Sequence, residues 1–250
     1  MPYHYPTRIF AHRGGGTLAP ENTLEAMQLA KQMDFAAVEF DVMLAKDEVP
    51  ILMHDPVFGR TVPGQGEVAA HTAARLVTMN AGAWQGKPQY AGATVPTFEA
   101  VVRYCRANQL FMNIEIKPAP GFEAVTGEVV ARETLRLFAD EKDKSKWPLF
   151  SSFNFAALAA AQQHAPVIDR AMLYTVVPGN WQDDLRALGC VALHTSHKML
   201  KAQAASAIKA AGYGLFVYTV NDADTARAMF AMGVDAMCTD RLDLIGPQFS

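Results

Sequence analysis

Glu39 and Asp41 stand two residues apart in the apolar run Val38-Glu39-Phe40-Asp41-Val42-Met43-Leu44. Side chains alternate faces along a strand, so the two carboxylates point one way while Val38, Phe40 and Val42 point the other. Burying two neighbouring anions is costly unless a cation, a shared proton or a basic partner compensates. A second apolar run, Leu110 to Lys117, repeats the pattern, with Asn113, Glu115 and Lys117 on one face and Met112, Ile114 and Ile116 on the other. Three carboxylates without cysteine favour a hard cation, Mg²⁺ or Ca²⁺, held through oxygen and completed by water or a substrate phosphate. Arg13 and Lys117 suit a phosphate on that cation, arginine as a planar fork and lysine as a point charge. His12 and His54, each at the end of a short apolar run, supply an acid and a base near neutrality. Cation, cationic clamp and two histidines together describe phosphoester cleavage.

Such residues need a scaffold that brings them to one rim. Arg8 to His12 reads as a first strand, running into Arg13-Gly14-Gly15-Gly16, where the backbone is free to turn tightly or to approach a ligand. Asn22 and Glu25 have the spacing of a capping box ahead of a first helix. The acidic strand turns through Ala45-Lys46-Asp47-Glu48 into Val49 to Met53, a hairpin that delivers His54 and Asp55. Glycines and prolines then interrupt the pattern over about 56–96, leaving one short helix around His71 to Met79, so this stretch reads as an insertion. From Thr97 onward, helices and short apolar strands alternate to Asp240. Eight strand-helix units, with the insertion helices counted as the second, predict parallel strands closed into a (β/α)₈ TIM barrel rather than an open sheet. In that fold the working residues lie at the C-terminal ends of strands, where His12, Glu39, Asp41, His54, Glu115 and Lys117 all fall.

Composition bounds the partners. The chain has 250 residues, a length that suits one such barrel as a single domain over 1–250. A net charge of −3 lacks the basic excess that nucleic-acid binding needs, so no nucleic acid is expected. Cys105, Cys190 and Cys238 form no CxxC pair and are odd in number, which suggests buried thiols in a reducing compartment rather than zinc or disulfides. The first ten residues lack the apolar run of a signal peptide, and no stretch reaches the ~18 apolar residues of a membrane span. A cytoplasmic enzyme acting on a small molecule, with no membrane insertion, is the expectation. His71, His164, His194 and His197 are read as structural, His194 least securely because it also sits near a strand end.

Taken in order, His12-Arg13-Gly14, Pro20-Glu21-Asn22-Thr23, Glu39-Phe40-Asp41, His54-Asp55 and Glu115-Ile116-Lys117 resemble the glycerophosphodiester phosphodiesterase family, in particular its short cytosolic bacterial members. The likeness continues through Ser152-Phe153, Tyr218-Thr219-Val220-Asn221 and Gly233-Val234-Asp235 to Thr239-Asp240. It implies a TIM barrel with a small insertion after the second strand, and divalent-metal-dependent cleavage of glycerophosphodiesters to glycerol 3-phosphate and an alcohol. By position, it makes Glu39, Asp41 and Glu115 metal ligands, His12 and His54 the acid-base pair, and Arg13 and Lys117 phosphate contacts, with Phe153 and Tyr218 lining the pocket. The family implies attack by the neighbouring glycerol hydroxyl through a cyclic phosphate, with His12 taken as first base and His54 as acid. Two positions depart from the family pattern. Glu48 stands where glycine is usual, at a cost if that turn needs positive φ, and Tyr218 stands where tryptophan is more frequent, which bears on pocket shape. Two other readings stay open: a phospholipase-D-like cyclising enzyme on lysophospholipids, and a catalytically silent barrel that binds phosphodiesters.

Overall fold

The computed structural model describes residues 3–249. The chain opens with strand β1 (Ile9–Ala11), helix α1 (Leu24–Gln32) and strand β2 (Ala37–Leu44), which turns back into β3 (Pro50–Leu52). After α2 (Ala73–Leu76) and α3 (Phe98–Ala107) the alternation becomes regular: β4 (Phe111–Ile116), α4 (Glu123–Leu137), β5 (Leu149–Ser152) and α5 (Phe155–His164). It continues through β6 (Asp169–Tyr174), α6 (Trp181–Ala187), β7 (Ala192–Ser196), α7 (Ala202–Ala210), β8 (Gly214–Tyr218), α8 (Ala223–Ala231) and β9 (Ala236–Thr239).

All strands but β3 pair in parallel, in the order β1-β9-β8-β7-β6-β5-β4-β2, and a β1–β2 pairing at Ala11 and Val38 closes the ring. This is a TIM barrel. The extra strand β3 runs antiparallel to β2, with Met43 opposite Ile51, so the hairpin expected after the acidic strand is present. The second outer helix is α3 rather than a helix of the insertion, whose α2 is a single turn, shorter than the His71 to Met79 reading. The reason is local: α3 has Thr97 capping Ala100 and a stripe of Phe98, Val101, Val102 and Cys105 buried against the barrel. Sequence 73–76 offers one turn's worth of burial, Ala73 and Leu76.

The capping box assigned to Asn22 is also corrected. Thr23 is the N-cap of α1, its hydroxyl accepting from the Ala26 N–H, and Asn22 sits just before it at φ 57°. A threonine at that position leaves the asparagine free for other work. In the turn between β2 and β3, Glu48 has φ 59°, the left-handed conformation that glycine would adopt without strain.

Followed round the barrel, the pairing register stacks inward side chains from alternate strands in levels of four, as such barrels do. One level holds Phe10, Asn113, Ala171 and Phe216; above it come Glu39, Ser151, His194 and Cys238, then His12, Glu115, Leu173 and Tyr218. The lower part is apolar, with Phe10 and Phe216 edge to face at 5.2 Å and Tyr3 and Tyr5 stacked edge to face at the floor. Polarity therefore rises toward the C-terminal mouth. His194 is fully buried, accepts or donates one hydrogen bond with the Tyr5 hydroxyl at 3.0 Å and stacks on Phe216, so its structural reading stands. Close approaches hold the outer layers: a Cβ on Gly127 of α4 would lie 2.1 Å from the Ala157 carbonyl of α5, so only glycine lets these helices pack.

Candidate active site

The C-terminal ends of β1, β2 and β4 converge. From β2, Glu39 and Asp41 point inward beside Glu115 of β4, and oxygen atoms of the three carboxylates lie within 4.8 Å of one another. Lys117, just past β4, places Nζ 3.3 Å from Asp41 Oδ1 and 3.4 Å from Glu115 Oε1. Asn22 grips Asp41 twice: its amide donates to Oδ2 at 2.8 Å, and its own carbonyl oxygen accepts from the Asp41 N–H at 3.1 Å. Glu39 receives the Arg13 backbone N–H at 3.1 Å.

Burial penalises the charged forms of all three acids, but the compensation is uneven. At Asp41 the burial penalty is outweighed by Lys117 and Arg13, which hold its carboxyl well below the usual range. For Glu39, burial and the neighbouring Asp41 charge prevail over His12 and Arg13 and push the carboxyl up. Glu115 is pushed up as well, by burial and by Asp41, against Lys117. Two acids that resist ionisation in a three-carboxylate cluster mark a site short of positive charge, and hard oxygen donors at this spacing fit a divalent cation.

Two His–Asp pairs flank the cluster. His12 Nδ1 lies 2.5 Å from Asp240 Oδ1, and its Nε2 faces Glu39 Oε2 at 3.8 Å. His54 Nδ1 lies 2.7 Å from Asp55 Oδ1. Each carboxylate fixes one ring nitrogen and leaves Nε2 for chemistry. Burial would lower the His12 pKa, but the Asp240 hydrogen bond and the Glu39 charge outweigh it and raise the value. His54 is lowered, by burial first and by Arg13 and Lys117, with Asp41 opposing.

Arg13 does not stand free at the mouth. Its guanidinium donates to Glu21 at 2.8 Å and lies 3.5 Å from Asp41, and Glu21 in turn receives a bidentate pair of hydrogen bonds from Arg60. Arg60 also donates to Asp55 at 2.6 Å, so the insertion is tied by charge to both histidine-bearing loops. A cavity of about 340 Å³ opens beside His12, Arg13, Glu21 and Asp240, with Trp84 and Gln85 of the insertion as its outer wall. Phe153 and Tyr218 are brought together elsewhere on the rim, edge to face at 5.8 Å, with the Tyr218 hydroxyl donating to the Tyr174 carbonyl. They do not line that cavity. A larger cavity, about 630 Å³, lies at the opposite end near Pro6, Arg106 and Phe111, far from the acid cluster.

Of the residues singled out in the sequence, His12, Arg13, Glu39, Asp41, His54, Glu115 and Lys117 thus gather at one end of the barrel. Asp240, Asn221, Asp55 and Glu21 were given no role in the site, and Asn22 was read only as a helix cap. Asn221 holds Asp240 through both its amide groups, donating to Oδ2 and accepting from the Asp240 N–H. Position was the available signal: Asp240 directly follows the last barrel strand, where functional residues concentrate.

A TIM barrel with an acidic triad, a lysine and two His–Asp pairs at its C-terminal mouth is a barrel equipped for acid-base catalysis on an anionic substrate. The model of the glycerophosphoryl diester phosphodiesterase family matches residues 12–244. A glycerophosphodiester phosphodiesterase of Caldanaerobacter subterraneus is 30% identical over 241 residues, covering 94% of each chain. One from Bacillus subtilis is 28% identical over 253 residues, covering 96% of this chain and 86% of the other. Among solved structures, a phosphodiesterase of Oleispira antarctica in complex with the product sn-glycerol-3-phosphate superposes with a TM-score of 0.85 at 34% identity, covering 93% of this chain and 92% of that one. The chain belongs to the glycerophosphoryl diester phosphodiesterase family and is a phosphodiesterase of that kind.

Proposed function

We propose that the protein hydrolyses glycerophosphodiesters, the deacylated phospholipids such as glycerophosphocholine and glycerophosphoethanolamine, to sn-glycerol 3-phosphate and the free alcohol. The observation that carries this reading is the pair of His–Asp couples on either side of one acidic triad, with Lys117 between carboxylates. The similar Oleispira antarctica structure, solved with sn-glycerol-3-phosphate, supports the product. Mg²⁺ or Ca²⁺ held by Glu39, Asp41 and Glu115 would supply positive charge to the phosphoryl oxygens. Lys117 adds a point charge, and Arg13 a second cation once phosphate competes with Glu21 for its guanidinium.

The residues then divide the proton traffic. His12 Nε2 takes the proton of the glycerol hydroxyl next to the phosphate ester, and that oxygen attacks phosphorus to close a cyclic phosphate. As the bond from phosphorus to the alcohol breaks, His54 Nε2 delivers its proton to the departing oxygen. Roles reverse in the second half: His54 deprotonates water, water opens the ring, and His12 returns its proton to the glycerol oxygen. In the cation-free protein the Asp240 hydrogen bond, and after it the charge of Glu39, favour protonated His12; a cation on Glu39 would remove the second of these and move the ring toward acting as base. Phe153 and Tyr218 offer aromatic surface to the leaving alcohol on the rim. Three buried free cysteines support residence in the reducing cytoplasm, with the barrel over 1–250 working as one domain.

The test is a ³¹P NMR assay of glycerophosphocholine turnover, with and without EDTA. Activity should vanish in EDTA, return with Mg²⁺ or Ca²⁺, and yield sn-glycerol 3-phosphate by way of a cyclic phosphate signal. Bis(p-nitrophenyl) phosphate, which lacks the internal hydroxyl, should be nearly inert. Cleavage of that diester as fast as glycerophosphocholine would rule out internal attack, and full activity in EDTA would rule out the cation.

A further inference from the structure

The three carboxylates are held very unequally. The Asp41 carboxylate accepts from the Asn22 amide and from Lys117, with Arg13 Nε 3.5 Å away, and Asn22 also holds the Asp41 backbone N–H. Glu39 has one hydrogen-bond donor, the Arg13 N–H, with His12 Nε2 3.8 Å away, and among the described residues Glu115 has only Lys117 at 3.4 Å. Beside each of the two poorly held acids lies a buried polar side chain whose oxygen has no partner among the described residues. The register sets Asn113 directly across from Glu39 and Ser151 directly across from Glu115, in each case on the inward face. Asn113 is 2% exposed and Ser151 fully buried, and Asn113 Oδ1 and Ser151 Oγ are unpaired.

Neither residue is explained by packing. Barrel interiors are filled by branched apolar side chains, and an unpaired polar group there is costly where an apolar one of similar shape is not. Ser152, the next residue, shows the ordinary alternative: its hydroxyl donates to the Ile116 carbonyl and accepts from the Asn154 N–H. Ser151 has no such backbone employment. The side chains are placed where the two loosely held carboxylates need a donor, and each can supply one: a serine hydroxyl rotates freely, and a half-turn of the Asn113 amide exchanges its oxygen for an NH₂ donor.

We propose that Asn113 and Ser151 are positioning residues, which orient Glu39 and Glu115 respectively for a divalent cation as Asn22 orients Asp41. The inference rests on the cation reading given above. With the cation bound, Ser151 Oγ–H donates to one oxygen of Glu115 and the Asn113 amide to one oxygen of Glu39, which leaves each carboxylate a single face for the ion. Outer partners of this kind fix ligand orientation and tighten metal affinity.

The test is isothermal titration calorimetry of the metal-free full chain with Mg²⁺ and Ca²⁺, paired with thermal unfolding without metal. Ser151→Ala and Asn113→Leu should each weaken cation binding about 10–100-fold. Their metal-free melting temperatures should be unchanged or higher, because an unpaired polar group has been removed. Ser151→Thr, which keeps the hydroxyl, should bind like the wild type. Should Asn113→Leu fail to fold, Asn113→Ala, which only removes atoms, serves the same comparison. Affinities of the alanine and leucine variants within twofold of wild type would overturn the positioning role, as would an equal loss in Ser151→Thr and Ser151→Ala. A wild-type protein that binds neither ion would instead overturn the cation reading itself, and that result appears before any variant is made.

Discussion

Both histidines in the site are oriented by an aspartate, but they meet different members of the acidic cluster: His12 Nε2 faces Glu39, while His54, at the end of the hairpin against Asp55, feels the charge of Asp41. That asymmetry makes their roles separable. A general acid matters most when the alcohol leaves poorly, so replacing it should slow glycerophosphocholine turnover by the ~10²–10⁴ typical of such groups. With glycerophospho-p-nitrophenol the phenolate departs unprotonated, and His54→Ala should recover much of its first-step rate in a single-turnover assay. His12→Ala should not, because the attacking hydroxyl needs deprotonation whatever leaves. Single turnover is required because, in the proposed reaction, ring opening uses both histidines again and would mask the difference at steady state. Rescue of His12→Ala in place of His54→Ala would show the two roles reversed. The same scale shows why some site residues were hidden. Glu39 and Asp41 betray themselves as charges in an apolar run, but Asp240 and Asp55 follow strand ends, where an acid is ordinary, and acquire meaning only from imidazoles 228 and 1 residues away in sequence.

At the scale of elements, periodicity exposed the alternation of strands and helices, and the hairpin of β2 with β3, because both follow from where apolar residues recur. Turn chemistry was less legible. Asn22 and Thr23 are both good caps, and nothing in one dimension says that the asparagine is drawn instead to Asp41, 19 residues on, leaving the cap to threonine. The internal turns of the insertion, though not its place in the chain, escaped for a related reason. Its short turns are held by single contacts, such as the Ala73 N–H on Asp47, that no period announces. Glu48 is the opposite case, since the strained turn was signalled by a family pattern that has glycine at that position. It occupies the left-handed region at φ 59° with an exposed side chain, and its N–H closes the turn on the Ala45 carbonyl at 2.9 Å. Left-handed backbone costs a non-glycine residue about 1–2 kcal/mol. Glycine gives back roughly 0.5–1 kcal/mol through the entropy of the unfolded chain. Glu48→Gly should therefore stabilise the protein by up to about 1 kcal/mol, read as a higher urea midpoint at constant slope. Glu48→Ala should gain nothing, as alanine keeps the Cβ. A lower midpoint for the glycine variant would mean that the turn is not strained in solution.

For the whole molecule, closure of the barrel is what turns dispersed residues into one site, and it also ties stability to the charge of that site. Glu39 and Glu115 have folded pKa values raised above their unfolded ones, chiefly by burial, so the folded state retains protons that the unfolded state has lost. Their contribution to stability is complete below the unfolded pKa and disappears as pH rises through the folded values, about 7 for Glu39 and about 8 for Glu115. His12, also raised, acts in the same sense. Two histidines oppose them as pH falls below neutral, before the lowered acids Asp41, Glu21, Asp55 and Asp240 do so in more acid solution. Burial pushes His194 down to about 3 and lowers His54, so both cost stability as pH falls below the 6.5 of an unfolded histidine. Above pH 6.5 these two are neutral in both states and drop out, and the carboxyl groups decide the slope. The metal-free protein should thus lose stability between pH 6.5 and 8, by up to about 1.4 kcal/mol per pH unit for each proton involved. A divalent cation needs those carboxylates ionised in the folded barrel, so it should restore what deprotonation removes. At a hundredfold excess over Kd the gain is about 2.7 kcal/mol. Melting temperatures measured with EDTA and with Mg²⁺ or Ca²⁺ should therefore coincide near pH 5, where protons compete with the ion, and separate increasingly toward pH 8. A cation-induced shift of equal size at both ends of that range would place the bound ion somewhere other than Glu39, Asp41 and Glu115.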